Sequence, residues 1–169
     1  ITGLIICGIV SFLDDIYAVN QKLRLVIQFL SSCLLVFSVI PDSLNVILIF
    51  IIIIIFISWL NTYNFMDGIN GMAAIYALVS LASFFYINLE INFVNDFSLK
   101  LISLTLLVFC FFNFRKDAVL FLGDIGSVSI AFLLFFLMIT LIINTANIFY
   151  IIIFSVFGID SFFTIVERF

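Results

Sequence analysis

Four polar, acidic stretches interrupt a chain that is otherwise rich in Ile, Leu, Val and Phe. The first is Asp14-Asp15. Adjacent carboxylates repel, and where water is scarce they need a cation between them or one must keep a proton. Hard oxygen ligands of this kind suit Mg²⁺ and phosphate chemistry; the plainer alternative is a solvated pair that ends a helix. Lys22 and Arg24 follow, placed either to hold a phosphate or to anchor the chain at a membrane surface. Gln28 lies one turn further on, looking back at this loop or hydrogen-bonding a neighbouring helix. In the second stretch Asn61, Asn64, Asp67 and Asn70 recur at every third position. On a helix that spacing makes one slowly rotating polar stripe, and a stripe of amides and a carboxylate is costly beside hydrocarbon unless it has a task.

The third stretch, Phe121-Leu122-Gly123-Asp124-Ile125-Gly126-Ser127, stands directly before an apolar run. Asp124 or Ser127 could cap the helix that starts there. Alternatively, glycines and free N–H groups at a helix start favour a diphosphate, with a metal on Asp124. In the fourth, Asp160, Thr164 and Glu167 or Arg168 are spaced to share a helix face, as an interfacial amphipathic helix or with the arginine gripping phosphate.

The elements that must carry these residues follow from composition. Of 169 residues, 66% are hydrophobic and 9% charged, with 24 Phe and one Pro, which places the chain among polytopic helical membrane proteins. A net charge of −4 and the lack of a basic block argue against nucleic acid as a partner. With no histidine, acid–base chemistry falls to carboxylates, Lys, Tyr or Cys. Cys7, Cys33 and Cys110 are far apart in apolar runs and read as small core residues, not disulfides or metal ligands. The expected fold is an all-α transmembrane bundle of about seven spans, the first truncated, forming one catalytic domain over residues 1–169. The spans are expected near 1–13, 25–40, 44–60, 72–87, 99–112, 128–143 and 148–157.

By parity, loops 14–24, 61–71, 113–127 and 158–169 share one side, and they hold Lys22, Arg24, Arg115, Lys116 and Arg168. The positive-inside tendency makes that side cytoplasmic. The first residue already lies in an apolar segment and the last ones stop without a tail, so the chain reads as an internal stretch of a longer protein.

In this order, the motifs resemble those of the polyprenyl-phosphate N-acetylhexosamine-1-phosphate transferases. That family includes the phospho-MurNAc-pentapeptide transferase and the enzymes that initiate O-antigen and teichoic acid synthesis. The resemblance rests on Phe12-Leu13-Asp14-Asp15 with Lys22 and Gln28, on residues 61–71, on residues 121–127, and on Asp160 with Arg168. It implies Mg²⁺-dependent (or Mn²⁺-dependent) transfer of a sugar-1-phosphate from a UDP-HexNAc, such as UDP-GlcNAc, to undecaprenyl or another polyprenyl phosphate, releasing UMP. It further implies a multi-pass protein of the bacterial cytoplasmic membrane with cytoplasmic catalytic loops, of a family that often forms homodimers.

Carried over by position, Asp124 is the metal ligand, and Asp14 and Asp15 position or deprotonate the lipid phosphate. Asn64 and Asp67 line the nucleotide-sugar site, and Phe121 stacks on uracil. Lys22, Asn61, Asn70 and Arg168 complete the substrate-binding set. Two positions depart from the pattern: Asn70 stands where many members have Asp, and Gly158 where Pro is common. The family's later histidine-containing loop is not reached by Phe169, so the 169 residues alone are expected to form no lipid-linked sugar in a radiolabel assay; robust product would refute this.

The competing class is an ion-coupled transporter, which would place carboxylates near the bilayer midplane and show inverted repeats. Here the acids lie at span ends and no repeat is visible.

Overall fold

Long apolar runs beside hydrocarbon must satisfy their own backbone hydrogen bonds, and an α-helix does so within one segment. The computed structural model describes residues 1–41, 44–68, 71–114 and 119–168, with the side chains of Ile165 and Arg168 left aside. Among these residues the chain forms α1 (Thr2–Tyr17), α2 (Gln21–Val39), α3 (Val46–Met66), α4 (Met72–Ile91), α5 (Asp96–Asn113), α6 (Gly123–Thr145), a 3₁₀ helix (Ile148–Phe154) and α7 (Ser155–Arg168). There are no strands among them, and the all-α expectation holds. Helices α2 to α6 are each long and apolar enough to cross a membrane, which makes this a multi-pass membrane protein; α1, the 3₁₀ helix and α7 are each shorter. The helices extend beyond the apolar runs at several ends, so Asp14, Asp15, Asn61, Asn64 and Asp124 all sit on helical turns. Gly158 likewise lies inside α7 and not in a loop.

Asparagines set several helix starts. Asn20, Asn95 and Asn147 each accept a backbone N–H two residues on, from Lys22 (2.9 Å), Phe97 (2.8 Å) and Phe149 (3.0 Å). Each such cap is worth about 1 kcal/mol.

The chain divides into two compact units. The first comprises Ile1–Phe65 and Leu122–Phe136, that is, α1, α2, nearly all of α3 and the start of α6. In it α1 packs on α2. Gly3 makes the close approach possible, since a Cβ there would lie 2.9 Å from the Ser31 carbonyl oxygen and 3.2 Å from the Phe132 ring. Phe56 is fully buried, stacked on Phe135 at 4.4 Å and edge-on to Phe132 at 5.1 Å. The Trp59 indole N–H donates to the Ala131 carbonyl at 2.9 Å, tying α3 to α6.

The second unit comprises Met66–Phe121 and Leu137–Phe169. Its helix α4 buries Ala73, Ala77, Ser80, Leu81, Phe84 and Asn88, a stripe at helical spacing, and packs on α5 and the 3₁₀ helix. The buried Asn88 closes the α4–α5 turn by donating to the Val94 carbonyl (2.9 Å) and to Asp96 (2.6 Å) and accepting the Val94 N–H (3.0 Å).

Gly71, at the start of α4, has φ +82°, and a Cβ there would stand 2.3 Å from the Phe114 ring. Gly71→Ala is therefore expected to destabilise the protein by about 1–3 kcal/mol through strain and clash together. A thermal melt of the purified full-length variant checks this; an unchanged Tm would refute it.

Candidate active site

The last turns of α1 carry Asp14 and Asp15, and the chain then reverses through Ala18 in the left-handed region (φ 49°). A carboxylate at a helix C-terminus opposes the helix dipole, so it needs donors of its own. Asp14 has them. Its Oδ1 accepts the Val19 N–H at 2.7 Å, and its Oδ2 accepts Arg24 Nη1 at 2.5 Å. The same Arg24 nitrogen also donates to Asp124 Oδ2 at 3.2 Å, so one guanidinium bridges two carboxylates from the ends of α1 and α6. The Asp14 side chain is only 10% exposed, against 25% for Arg24 and 31% for Asp124.

Burial works to raise the Asp14 pKa, but the hydrogen bonds from Arg24 and Val19 outweigh it and hold the carboxyl below its ordinary value. Asp14 is therefore ionised throughout the neutral range and is a poor proton acceptor there.

Asp15 points the other way. Its Oδ1 accepts the Asp124 N–H at 2.9 Å and its Oδ2 accepts the Ile125 N–H at 3.2 Å. This corrects two expectations for the start of α6. Neither Asp124 nor Ser127 caps it by its side chain in the usual way, and the N–H groups of Asp124 and Ile125 are not free for a diphosphate. Both are already paired with Asp15.

Around Asp124 the polar contacts continue. The Asn64 side chain stands beside its carboxylate. Buried Ser127 holds Asn64 in turn, its hydroxyl donating to Asn64 Oδ1 at 2.5 Å, with the Gly123 and Asp124 carbonyls at 3.0 and 3.3 Å as further acceptors.

One turn back on α3, Asn61 donates to Gln28 at 2.7 Å and to the Ile57 carbonyl at 2.8 Å, and accepts from Gln28 Nε2 at 3.3 Å. Its amide braces α3 against α2. Asn61→Leu would strand the buried Gln28 and cost about 1–3 kcal/mol of stability. Replacing both residues by Leu should recover most of that loss; a double variant less stable than the single one would refute the pairing.

The other expected site residues fall elsewhere. Lys22 is exposed and makes no ion pair among the described residues; Arg24, two positions on, is the cation brought to the carboxylates. Asp67 is half-buried just past the end of α3, and Phe121, 70% exposed, precedes α6; both belong to the second unit. Asn70 and the Arg168 side chain lie outside the described residues. The polar stripe thus has two rungs on the helix, Asn61 and Asn64, with α3 ending before Asp67.

The donor set suits a divalent cation of the Mg²⁺ kind. Among the described residues no three Asp, Glu, Cys or His side chains are arranged to hold a metal unaided. Mg²⁺ asks for less, one or two carboxylates with water and substrate phosphates. Asp14 and Asp124 offer two hard oxygens directed at one positive charge. The cysteines take no part: all three are free, with Cys7 and Cys110 buried.

Comparison with known proteins gives one positive finding. The model of the family described as Glycosyl transferase family 4 matches residues 1–142, a span that includes every residue of the Asp14–Arg24–Asp124 cluster. No curated protein and no solved structure matches the chain.

Proposed function

The chain belongs to glycosyl transferase family 4, membrane enzymes that transfer a sugar-1-phosphate to a polyprenyl phosphate, and on that premise we propose that this protein uses a UDP-HexNAc donor and releases UMP. The donor is UDP-GlcNAc or a related UDP-HexNAc, and the acceptor is undecaprenyl or another polyprenyl phosphate. The reaction is the first membrane step of a cell-envelope polysaccharide, run at the cytoplasmic face of a bacterial inner membrane. What carries this reading is the convergence of Asp14 and Asp124 on Arg24 at the ends of three helices.

The chemistry balances simply. An oxygen of the lipid phosphate attacks the sugar-bearing phosphorus of the donor, the bond from that phosphorus to the bridging oxygen breaks, and the oxygen leaves with UMP. The nucleophile needs little help from a base, because a phosphate monoester with a second pKa of about 6 is largely dianionic at neutral pH. An ionised, weakly basic Asp14 suits this: it orients and does not take a proton. The difficulty is to gather several negative charges in one place, and here the residues have work to do. Arg24 presents a fixed, forked cation to phosphate oxygens. Asp14 and Asp124 would hold Mg²⁺, which when bound offsets charge on the diphosphate as a Lewis acid. Asn64, held by Ser127 beside Asp124, is proposed to keep that carboxylate in one orientation. Asp67, Asn70, Phe121, Lys22 and Arg168 are proposed to complete the nucleotide-sugar and lipid-phosphate contacts.

The test incubates membranes bearing the full-length protein with radiolabelled UDP-GlcNAc, UDP-QuiNAc or UDP-FucNAc, undecaprenyl phosphate and Mg²⁺. Labelled lipid and UMP in equal amounts are expected from one of the donors. Neither product with any donor would remove the reading.

A further inference from the structure

Helix α6 begins without a cap of its own. The residue in the N-cap position is Leu122, whose side chain has nothing to accept with, and Gly123 follows it. The N–H groups that an N-cap side chain would take are those of the second and third helical residues. Here these are Asp124 and Ile125, and both donate to Asp15 of α1, more than a hundred residues away in sequence. We infer that Asp15 is a positioning residue, an N-cap supplied to α6 from another helix, which fixes the backbone from which Asp124 projects.

A second, independent feature points the same way. Gly123 has φ +61°, and a Cβ on it would stand 2.9 Å from Asp15 Oδ2. The glycine leaves room for the incoming carboxylate as well as permitting the left-handed backbone. A further asymmetry within the acidic pair agrees with this. Asp14 spends its oxygens on a guanidinium and a loop N–H, and shares that guanidinium with Asp124. Asp15 spends both oxygens on the backbone of α6. Neighbours in sequence, the two acids thus divide the work: Asp14 faces the charge cluster, and Asp15 holds the helix that delivers its partner. An anion at a helix N-terminus is also favoured by the helix dipole.

This inference rests on the transferase reading for its consequence in catalysis but not for its physical content, so two readouts separate them. The first is backbone amide exchange in full-length protein in nanodiscs. Asp15→Ala should speed exchange in the peptide holding Asp124 and Ile125. Adding Leu122→Ser, which places a neutral cap on α6 itself, should slow it again. The second is transfer activity. Asp15→Ala should lower kcat about 10–100-fold, the range for partners that orient a metal ligand, with KM for the nucleotide sugar little changed. The Asp15→Ala/Leu122→Ser protein should recover most of it, whereas Leu122→Ser alone should stay near the parent. Gly123→Ala should reproduce the Asp15→Ala loss. If Asp15→Ala does not fold, Asp15→Asn, which keeps one acceptor, serves in its place with a smaller effect in both readouts.

Exchange that Asp15→Ala leaves unchanged would overturn the capping role. Activity that stays lost in the double variant, while its exchange is restored, would show that Asp15 acts on substrate directly. A parent protein inactive with every donor would defeat the transferase reading alone, and exchange would still decide the cap.

Discussion

Asp124→Asn is expected to lower kcat by about 10²–10³-fold in membranes bearing the full-length protein, the loss typical of removing one preorganised electrostatic group from an active site. The substitution is nearly isosteric and leaves the Asp124 N–H bonded to Asp15, so the fold should survive. What it removes is a charge at a junction. Asp124 accepts from Arg24 beside Asn64, and it is one of the two carboxylates that suit a Mg²⁺. Binding of the nucleotide sugar should change far less than turnover if the charge acts mainly in the transition state. Steady-state kinetics with varied UDP-sugar at fixed lipid phosphate measure both. A variant keeping more than about a third of the parent's kcat would be far outside the range for such a group and would remove Asp124 from the reaction.

The second large effect concerns Arg24. Without it, Asp14 and Asp124 face each other with no bridging cation. Two opposite consequences follow. The site loses a forked phosphate contact, so kcat/KM should fall about 10²-fold, near the 2–3 kcal/mol of a charge-assisted pair. At the same time the local potential becomes more negative, so a divalent cation should bind more tightly to the free protein. In Arg24→Ala the Mg²⁺ concentration giving half-maximal rate should therefore drop while the maximal rate falls. The Asp14 carboxyl, released from its strongest donor, should also titrate higher than in the parent. Arg24→Lys keeps the charge without the fork and should lie between the two. A Mg²⁺ requirement that rises together with the loss of rate would mean that Arg24 merely supports the fold.

Much of this was legible from residue types. The apolar runs gave the helix order, because only a helix satisfies its backbone hydrogen bonds within one uninterrupted apolar segment. The acidic stretches gave Asp14 and Asp124. Less could be read at the helix ends. Polarity marks where a chain meets water, whereas a helix stops where capping and backbone geometry stop it, so Asn61 and Asp124 read as loop residues although they are helical. The choice between Lys22 and Arg24 shows the limit more sharply. Two residues apart on a helix they point about 200° apart, so only one can face Asp14. Asn20, the cap of α2, sets the phase that decides it, and its role could be read only once the start of α2 was known.

The Asp15 contact was beyond local reading altogether. No propensity or periodicity links residues so distant. The one available signal was negative: a leucine followed by a glycine at a helix start that lacks a cap.

Helix α1 meets α6 at both of its ends, with Gly3 against the Phe132 ring and Asp15 on the α6 backbone. Those points are roughly 18 Å apart along the helix axis. Two fastenings that far apart fix an axis in a way one cannot. Rolling α1 or sliding it lengthwise would break the hydrogen bonds at one end or force a collision at the other. The register of α1 against the start of α6 is thereby set at two points, so Asp15 meets the same two N–H groups.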